Sequence, residues 1–139
     1  MSRLDLPIEE YTTPNPIVAK EDTSVEDLKS IMQVNQIRHL PILRGEKVVG
    51  IVSDRDVKIA TGLTHPERRQ ICALDIMVKD PVTVAVDDCL EDVAFQMSEK
   101  KIGSVIVNDD DDKFYGIFTS TDALNALIEI ARMTSQQTK

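Results

Sequence analysis

The sequence predicts an α/β protein of the α+β kind, built from two β-α-β-β-α repeats, on three observations. The first is a duplication: sliding the 139-residue chain by 65 aligns Pro16 with Pro81, Asp22 with Asp87, Glu26 with Glu91, Asp27 with Asp92, Met32 with Met97 and Ile37 with Ile102. The second is a slip of register, because Gly50, Ile51, Ser53, Asp56 and Ala60 meet Gly116, Ile117, Thr119, Asp122 and Ala126 only at a shift of 66. One extra residue therefore belongs in Asn108 to Lys113, opposite the turn Arg44 to Lys47. The third is that each copy ends in an apolar run into Gly-Ile-x-(Ser/Thr)-x-x-Asp. The period is too long, and two copies too few, for a solenoid, so a tandem duplication with its halves packed together is expected.

Each element follows from local pattern. Pro16 to Lys20 reads as a short extended segment, and Thr23-Ser-Val-Glu26 fits a capping box that opens a helix over about Ser24 to Asn35. Val25, Leu28, Ile31 and Met32 recur at helical spacing, as do Leu90, Val93, Ala94 and Met97 in the second copy, and both stripes are read as core. Leu40 to Leu43 and Val48 to Val52 flank a polar turn with Gly45 and form a hairpin, matched by Val105 to Val107 and Phe114 to Phe118. A helix then begins near Asp54 and again near Ser120, where Ala123, Leu124, Leu127, Ile128 and Ala131 make an apolar face. Leu4 to Thr13 precedes copy one as Leu74 to Val78 precedes copy two. The expected organisation is repeat one at 8–61, a polar linker at 62–73, repeat two at 74–133 and a flexible tail at 134–139.

Composition narrows the function. With 42% apolar and 4% aromatic residues, the chain suits a core of aliphatic side chains. A net charge of -8 argues against binding a nucleic acid duplex, which needs clustered cations over the phosphates. No apolar stretch has signal length or approaches the roughly 20 residues that span a bilayer, so a cytoplasmic protein with no membrane contact is expected. Cys72 and Cys89 lack CxxC spacing and are read as reduced and structural. His39 and His65 have no spaced thiolate or carboxylate partners for zinc, and the acidic turn at 108–113 lacks the ligand spacing of a calcium loop. Nothing resembles a nucleophile-base pair with an oxyanion partner, so no enzyme and no catalytic residue or metal is expected.

The chemistry concentrates where strand meets helix, at Gly50-Ile51-Val52-Ser53-Asp54-Arg55-Asp56. A helix start offers unpaired N–H groups and a positive dipole end, a site for phosphate. Ser53 adds a hydroxyl, and an Asp three residues later has two oxygens that accept hydrogen bonds from both ribose hydroxyls. Gly50 lets another group approach the strand closely. The plain alternative is that Ser-x-x-Asp and Thr-x-x-Asp are capping boxes and bind nothing. From the heptads alone both readings stand.

Taken together, Pro-Ile-Val-Ala-Lys, Asp-Thr-Ser-Val-Glu-Asp, Ile37-Arg38-His39-Leu40-Pro41-Ile42 and Gly-Ile-Val-Ser-Asp-Arg-Asp resemble a cystathionine-β-synthase (CBS) domain. So does the second copy, with Asp80-Pro81-Val82-Thr83-Val84 and Gly116-Ile117-Phe118-Thr119-Ser120-Thr121-Asp122. The resemblance covers nearly the whole chain and implies a tandem pair, the Bateman module, with repeats packed through their sheets about a pseudo-two-fold axis. It implies a regulatory sensor that binds an adenine nucleotide (AMP, ADP or ATP), with or without magnesium, in clefts between the repeats. Asp56 and Asp122 would hold ribose, Ser53 and Thr119 would face ribose or phosphate, and the apolar segments beginning at Ile17 and Val82, with backbone near Ile37 to Leu40 and Ile102 to Val105, would sandwich the base. Arg38, His39 and Arg55 would meet phosphate in copy one, where copy two has Gly103, Ser104 and Thr121. A homodimer and an unidentified protein partner are also implied. The alternatives are a sensor of S-adenosylmethionine, NAD or cyclic di-AMP, and a dimerisation module with no ligand.

Overall fold

The computed structural model describes residues 6–62 and 71–137, with side chains through Ser135. Most of the expected linker, including His65, lies outside the described residues. The first copy holds strand β2 (Ala19–Lys20), helix α1 (Val25–Asn35), strands β3 (His39–Arg44) and β4 (Lys47–Ser53) and helix α2 (Asp54–Thr61). The second holds β6 (Thr83–Ala85), α4 (Leu90–Lys100), β7 (Ser104–Asn108), β8 (Phe114–Thr119) and α5 (Ser120–Gln137). A 3-10 turn at Ile8–Tyr11 and strand β1 (Thr13–Pro14) lead into copy one, and helix α3 (Ala73–Ile76) and strand β5 (Val78–Lys79) lead into copy two. The molecule is thus mixed α/β, with two four-stranded sheets ordered β1-β8-β7-β6 and β2-β3-β4-β5.

The sheet orders cut across the sequence repeats. Strand β1 pairs antiparallel with β8, Thr13 opposite Ile117 and Pro14 opposite Gly116, while β5 pairs with β4, Val78 opposite Ile51 and Lys79 opposite Gly50. One compact unit therefore runs from Pro16 to Pro81, and the other joins the residues up to Asn15 to those from Val82 onward. The expected division into 8–61 and 74–133 follows the repeats, whereas residues 8–15 and 74–81 each complete the unit of the other copy. Both crossings use a residue at positive φ before a proline, Asn15 (φ 45) and Asp80 (φ 51). Asn and Asp tolerate that conformation better than other side chains.

The duplication is legible in the pairing. His39 lies opposite Ser53 and Ile42 opposite Gly50; Ser104 lies opposite Thr119 and Val107 opposite Gly116. The shift is 65 along the first strand of each hairpin and 66 along the second, and both ladders break register just after Ile42 or Val107. The extra residue falls in the loop between Asn108 and Phe114. There, Asp109 caps the turn by accepting from the backbone N–H of Asp111 (2.9 Å) and of Lys113 (3.0 Å).

Each unit has its own core. Leu28, Met32, Leu40, Ile42, Val52, Val57 and Ala73 pack in one, and Ile8, Val93, Met97, Val105, Val107, Phe118 and Ala126 in the other. Both helices that follow the first strand of a copy end on a residue in the left-handed region, Gln36 (φ 54) and Lys101 (φ 56). Two expectations are corrected. The cap of α1 is Ser24, whose side chain accepts from Asp27 N at 3.1 Å, because Thr23 is occupied one residue earlier in accepting from Lys20 N. The expected tail at 134–139 is helical through Gln137, since α5 continues in register with no breaking residue.

Candidate functional site

In copy one, β4 delivers Ser53 to the start of α2 with extended backbone (φ -99, ψ 161), the conformation a cap requires. Ser53 Oγ accepts from Asp56 N at 3.1 Å, and Asp56 Oδ2 accepts from Ser53 N at 3.0 Å, a reciprocal capping box. Asp54 N donates to the Arg38 carbonyl at 2.7 Å, tying the corner to the chain that enters β3. His39, paired with Ser53 in the sheet, is half-buried at the same corner. Burial holds its pKa below the ordinary histidine value of 6.5, the carboxylate of Asp56 opposes that shift, Arg38 adds to it and Asp54 opposes it.

The second corner has the same frame and different chemistry. Thr119 N donates to Asp122 Oδ2 at 2.9 Å, and Ser120 N donates to the Gly103 carbonyl at 3.0 Å. Here the hydroxyl itself donates to Asp122 Oδ2 at 3.0 Å, while the return bond from Asp122 N to Thr119 Oγ1 is long at 3.4 Å. Among the described residues the Ser53 hydroxyl accepts from Asp56 N and donates to no neighbour, whereas that of Thr119 donates to Asp122. The capping reading is therefore realised in both copies. It does not exhaust the carboxylates, because each bond uses Oδ2 and a carboxylate has about four lone-pair positions. Among the described residues, Oδ1 of Asp56 and of Asp122 remains an acceptor.

The remaining residues singled out from sequence divide between the units. Ile17, Ile37, Arg38, His39, Leu40, Ser53, Arg55 and Asp56 belong to the unit of residues 16–81, and Val82, Ile102, Ser104, Thr119, Thr121 and Asp122 to the other. Ile17 is exposed, Ile37 is partly buried against its core, and Val82 and Ile102 are likewise packed against theirs. Leu40 is a core residue whose side chain is fully buried, leaving only its backbone for a ligand. Gly50 and Gly116 have a structural explanation. A Cβ on Gly50 would come within 2.5 Å of Met77 Sδ and 3.0 Å of the Val78 carbonyl, and one on Gly116 would collide with the Thr13 carbonyl. The group that approaches each glycine is thus the edge strand β5 or β1.

Sequence reasoning missed a cavity of about 330 Å³ between α1 and α2. Lys29, Arg38 and Lys58 bring three cations to it, Asp54 one carboxylate, Met32, Ile37 and Val57 an apolar wall, and Gln33, Gln36 and Thr61 neutral polar groups. Arg38 lines this cavity, and His39, Ser53, Arg55 and Asp56 do not. The legible signal was that Lys29 and Lys58 stand where copy two has Ala94 and Leu124. Among the described residues there is no group of three or more His, Cys, Asp or Glu that would hold a metal, and no helix is long and apolar enough to cross a membrane.

A family model described as CBS domain matches residues 8–61 and 73–129. Inosine-5'-monophosphate dehydrogenase of Korarchaeum cryptofilum is 31% identical over 114 residues, 82% of this chain and 23% of that protein. The chain spans between about a quarter and under half of the length of the curated relatives it matches. Among solved structures, CBSX2 of Arabidopsis thaliana in complex with AMP superposes with a TM-score of 0.77 at 28% identity, over 90% of this chain and 98% of that one. The CBS domain pair of protein MJ0100, in complex with 5'-methylthioadenosine and S-adenosyl-L-methionine, gives a TM-score of 0.77 at 28% identity over 88% of this chain and 99% of that one.

Proposed function

We propose that this chain, which belongs to the CBS-domain family as a tandem pair, is a regulatory module that binds an adenine nucleotide (AMP, ADP or ATP) and does no chemistry on it. The observation that carries this reading is the duplicated corner: two half-buried aspartates at equivalent helix starts, each with one carboxylate oxygen fixed by the cap and the other an acceptor. The cap orients the carboxylate before any ligand arrives, which lowers the entropy lost on binding. The AMP complex of CBSX2 supports the ligand class.

In this reading each repeat brings its strand-to-helix corner to the ligand. Asp56 and Asp122 accept from ribose hydroxyls, Ser53 donates to ribose or phosphate, Ile17, Ile37, Val82 and Ile102 cover the base, and His39 and Arg55 meet phosphate. Copy two offers Ser104 and Thr121 in place of those cations, so the two corners are unequal. A second reading has support in that asymmetry: a corner with no cation suits S-adenosylmethionine or 5'-methylthioadenosine, the ligands of the MJ0100 pair. The module is cytoplasmic and homodimeric, covering Leu124, Leu127 and Ile128, which are 60%, 62% and 47% exposed. Occupancy passes to a partner protein because the ligand binds two states of the module unequally.

The experiment is calorimetric titration of the full chain with AMP, ADP, ATP, NAD, cyclic di-AMP and S-adenosylmethionine, with and without magnesium. Saturable binding of a nucleotide, lost on Arg55→Ala, supports the first reading. Binding of S-adenosylmethionine alone, indifferent to Arg55→Ala, supports the second. Heat signals no larger than dilution for every adenosyl ligand would leave the corners as caps only and overturn both.

A further inference from the structure

We infer that the cavity between α1 and α2 of the first copy is a second anion-binding site, made for a small molecule carrying two or more phosphate charges beside an apolar group, and separate from the ribose corner. The described residues that line it, from Lys29 to Thr61, all lie within one compact unit. In a chain of net charge -8, three cations against one carboxylate around a concavity is a local reversal of sign. Such a reversal concentrates anions at the site and speeds their arrival. Lys58 is held at 3.0 Å from Asp54 one helical turn away, which aims one cation without neutralising the other two.

The duplication supplies an internal control. At the pairing shifts of 65 and 66, Lys29, Arg38, Asp54 and Lys58 correspond to Ala94, Gly103, Ser120 and Leu124. The same helix pair is therefore built in copy two without these charges, and the fold does not demand them. Nor does the acidic surface explain them: among the described residues the ion pairs are Arg44 with Glu21 and Lys58 with Asp54, leaving Lys29 and Arg38 without a carboxylate partner. Ammonium groups from α1 and α2 and the guanidinium of Arg38, from the segment that leads into β3, meet at one concavity and suit charge-assisted bonds with phosphate oxygens. Met32 and Val57, 4% and 3% exposed, give the wall against which an apolar portion packs. At about 330 Å³ the space lies at the small end of ligand pockets and excludes a folded macromolecule.

Amide NMR of the full chain at physiological salt, titrated with sodium pyrophosphate, tests the site. The expected result is saturable shifts of the Gln33, Gln36 and Thr61 amides, and affinity reduced about tenfold or more in Lys29→Ala/Lys58→Ala. Both lysines are exposed, and the spectrum itself reports that the variant is folded. Lys47→Ala/Lys113→Ala, an equal change of charge beside the two hairpin turns, should leave the affinity unchanged. Asp56→Asn should too, so failure of the nucleotide reading and failure of this one are separately visible. Equal weakening in both lysine pairs, shifts that do not saturate, or shifts that map elsewhere and survive Lys29→Ala/Lys58→Ala would each overturn the inference.

Discussion

Replacing Asp56 separates its two roles, because the cap and the proposed ribose contact need different things from the same side chain. Asp56→Ala removes the bond its carboxylate accepts from Ser53 N, keeps the one its backbone N–H donates to Ser53 Oγ, and costs about 1 kcal/mol, the usual worth of such a cap. For 139 residues the unfolding entropy is about 0.3 kcal/mol per degree, so the melting temperature should fall by about 3 °C without ligand. Asp56→Asn keeps an oxygen that accepts from Ser53 N and loses only the charge at the helix start, so it should fall by about half as much. Ligand acts on the other term. At 100 times its dissociation constant it stabilises the parent protein by about 2.7 kcal/mol, a rise of about 9 °C. If the carboxylate makes two charge-assisted bonds to ribose, the amide of Asn, which offers a donor in their place, costs about 2 kcal/mol and weakens binding about 30-fold. At the same ligand concentration the rise should then shrink to about 3 °C. Differential scanning fluorimetry of the parent, Asp56→Asn and Asp56→Ala with and without AMP reads all of these values. A ligand-induced rise in Asp56→Asn equal to that of the parent would refute the ribose role and leave Asp56 a cap.

Three further outcomes are expected. Gly116→Ala should be the costlier of the two glycine substitutions, at about 3 kcal/mol, because its Cβ meets the backbone carbonyl of Thr13. Gly50→Ala should cost about 1 kcal/mol, since Met77 yields by rotating its side chain; equal costs by urea denaturation would contradict this contrast. His39 has a folded pKa below its ordinary 6.5, so the unfolded chain takes up the proton first and stability should fall as pH drops through and below 6.5. His39→Gln should flatten that slope, and an unchanged slope in melts across pH 5 to 7.5 would place the titration elsewhere. Residues 16–81 should fold alone, whereas 8–61 should not, because only the former includes Ala73, fully buried in its core, and the β5 pairing with β4; circular dichroism of the two fragments decides it.

The repeat made most of this fold readable. Local patterns located α1, α2, α4, α5 and both hairpins, though not the short α3, because the apolar stripes at Val25, Leu28 and Met32 and at Leu90, Val93 and Met97 do become core. What sequence could not give was the exchange of leading segments. Thr13–Pro14 and Val78–Lys79 are two-residue strands with no apolar alternation, and their pairing is settled by the glycines opposite them, far away in sequence. The corners were legible as Ser/Thr-x-x-Asp, but whether their acids serve a cap or a ligand was not, since both uses want the same residues at the same spacing. The α1–α2 cavity was hidden for another reason: Lys29 and Lys58 read singly as ordinary exposed positions, and only the folded helix pair brings them around one space.

A duplicated chain separates scaffold from function without any mutation. Where the copies agree, in the glycines that admit an edge strand, the left-handed caps at Gln36 and Lys101 and the reciprocal Asp-to-backbone bonds, the shared backbone is a sufficient reason for the residue. Where they disagree on superposable backbone, the backbone is not the reason. Ser53 and Thr119 stand at the same helix start, yet only the threonine donates its hydroxyl hydrogen to the capping carboxylate; His39 and Ser104 pair equally well in the sheet, yet only the histidine carries a proton that its surroundings control. Each difference puts more polar or charged capacity into copy one, in a chain that is otherwise acidic. Identical corners would give two equivalent sites and a single threshold of response. Under the proposed function, unlike corners on a common frame would let the two halves answer to different ligand chemistry or different concentrations.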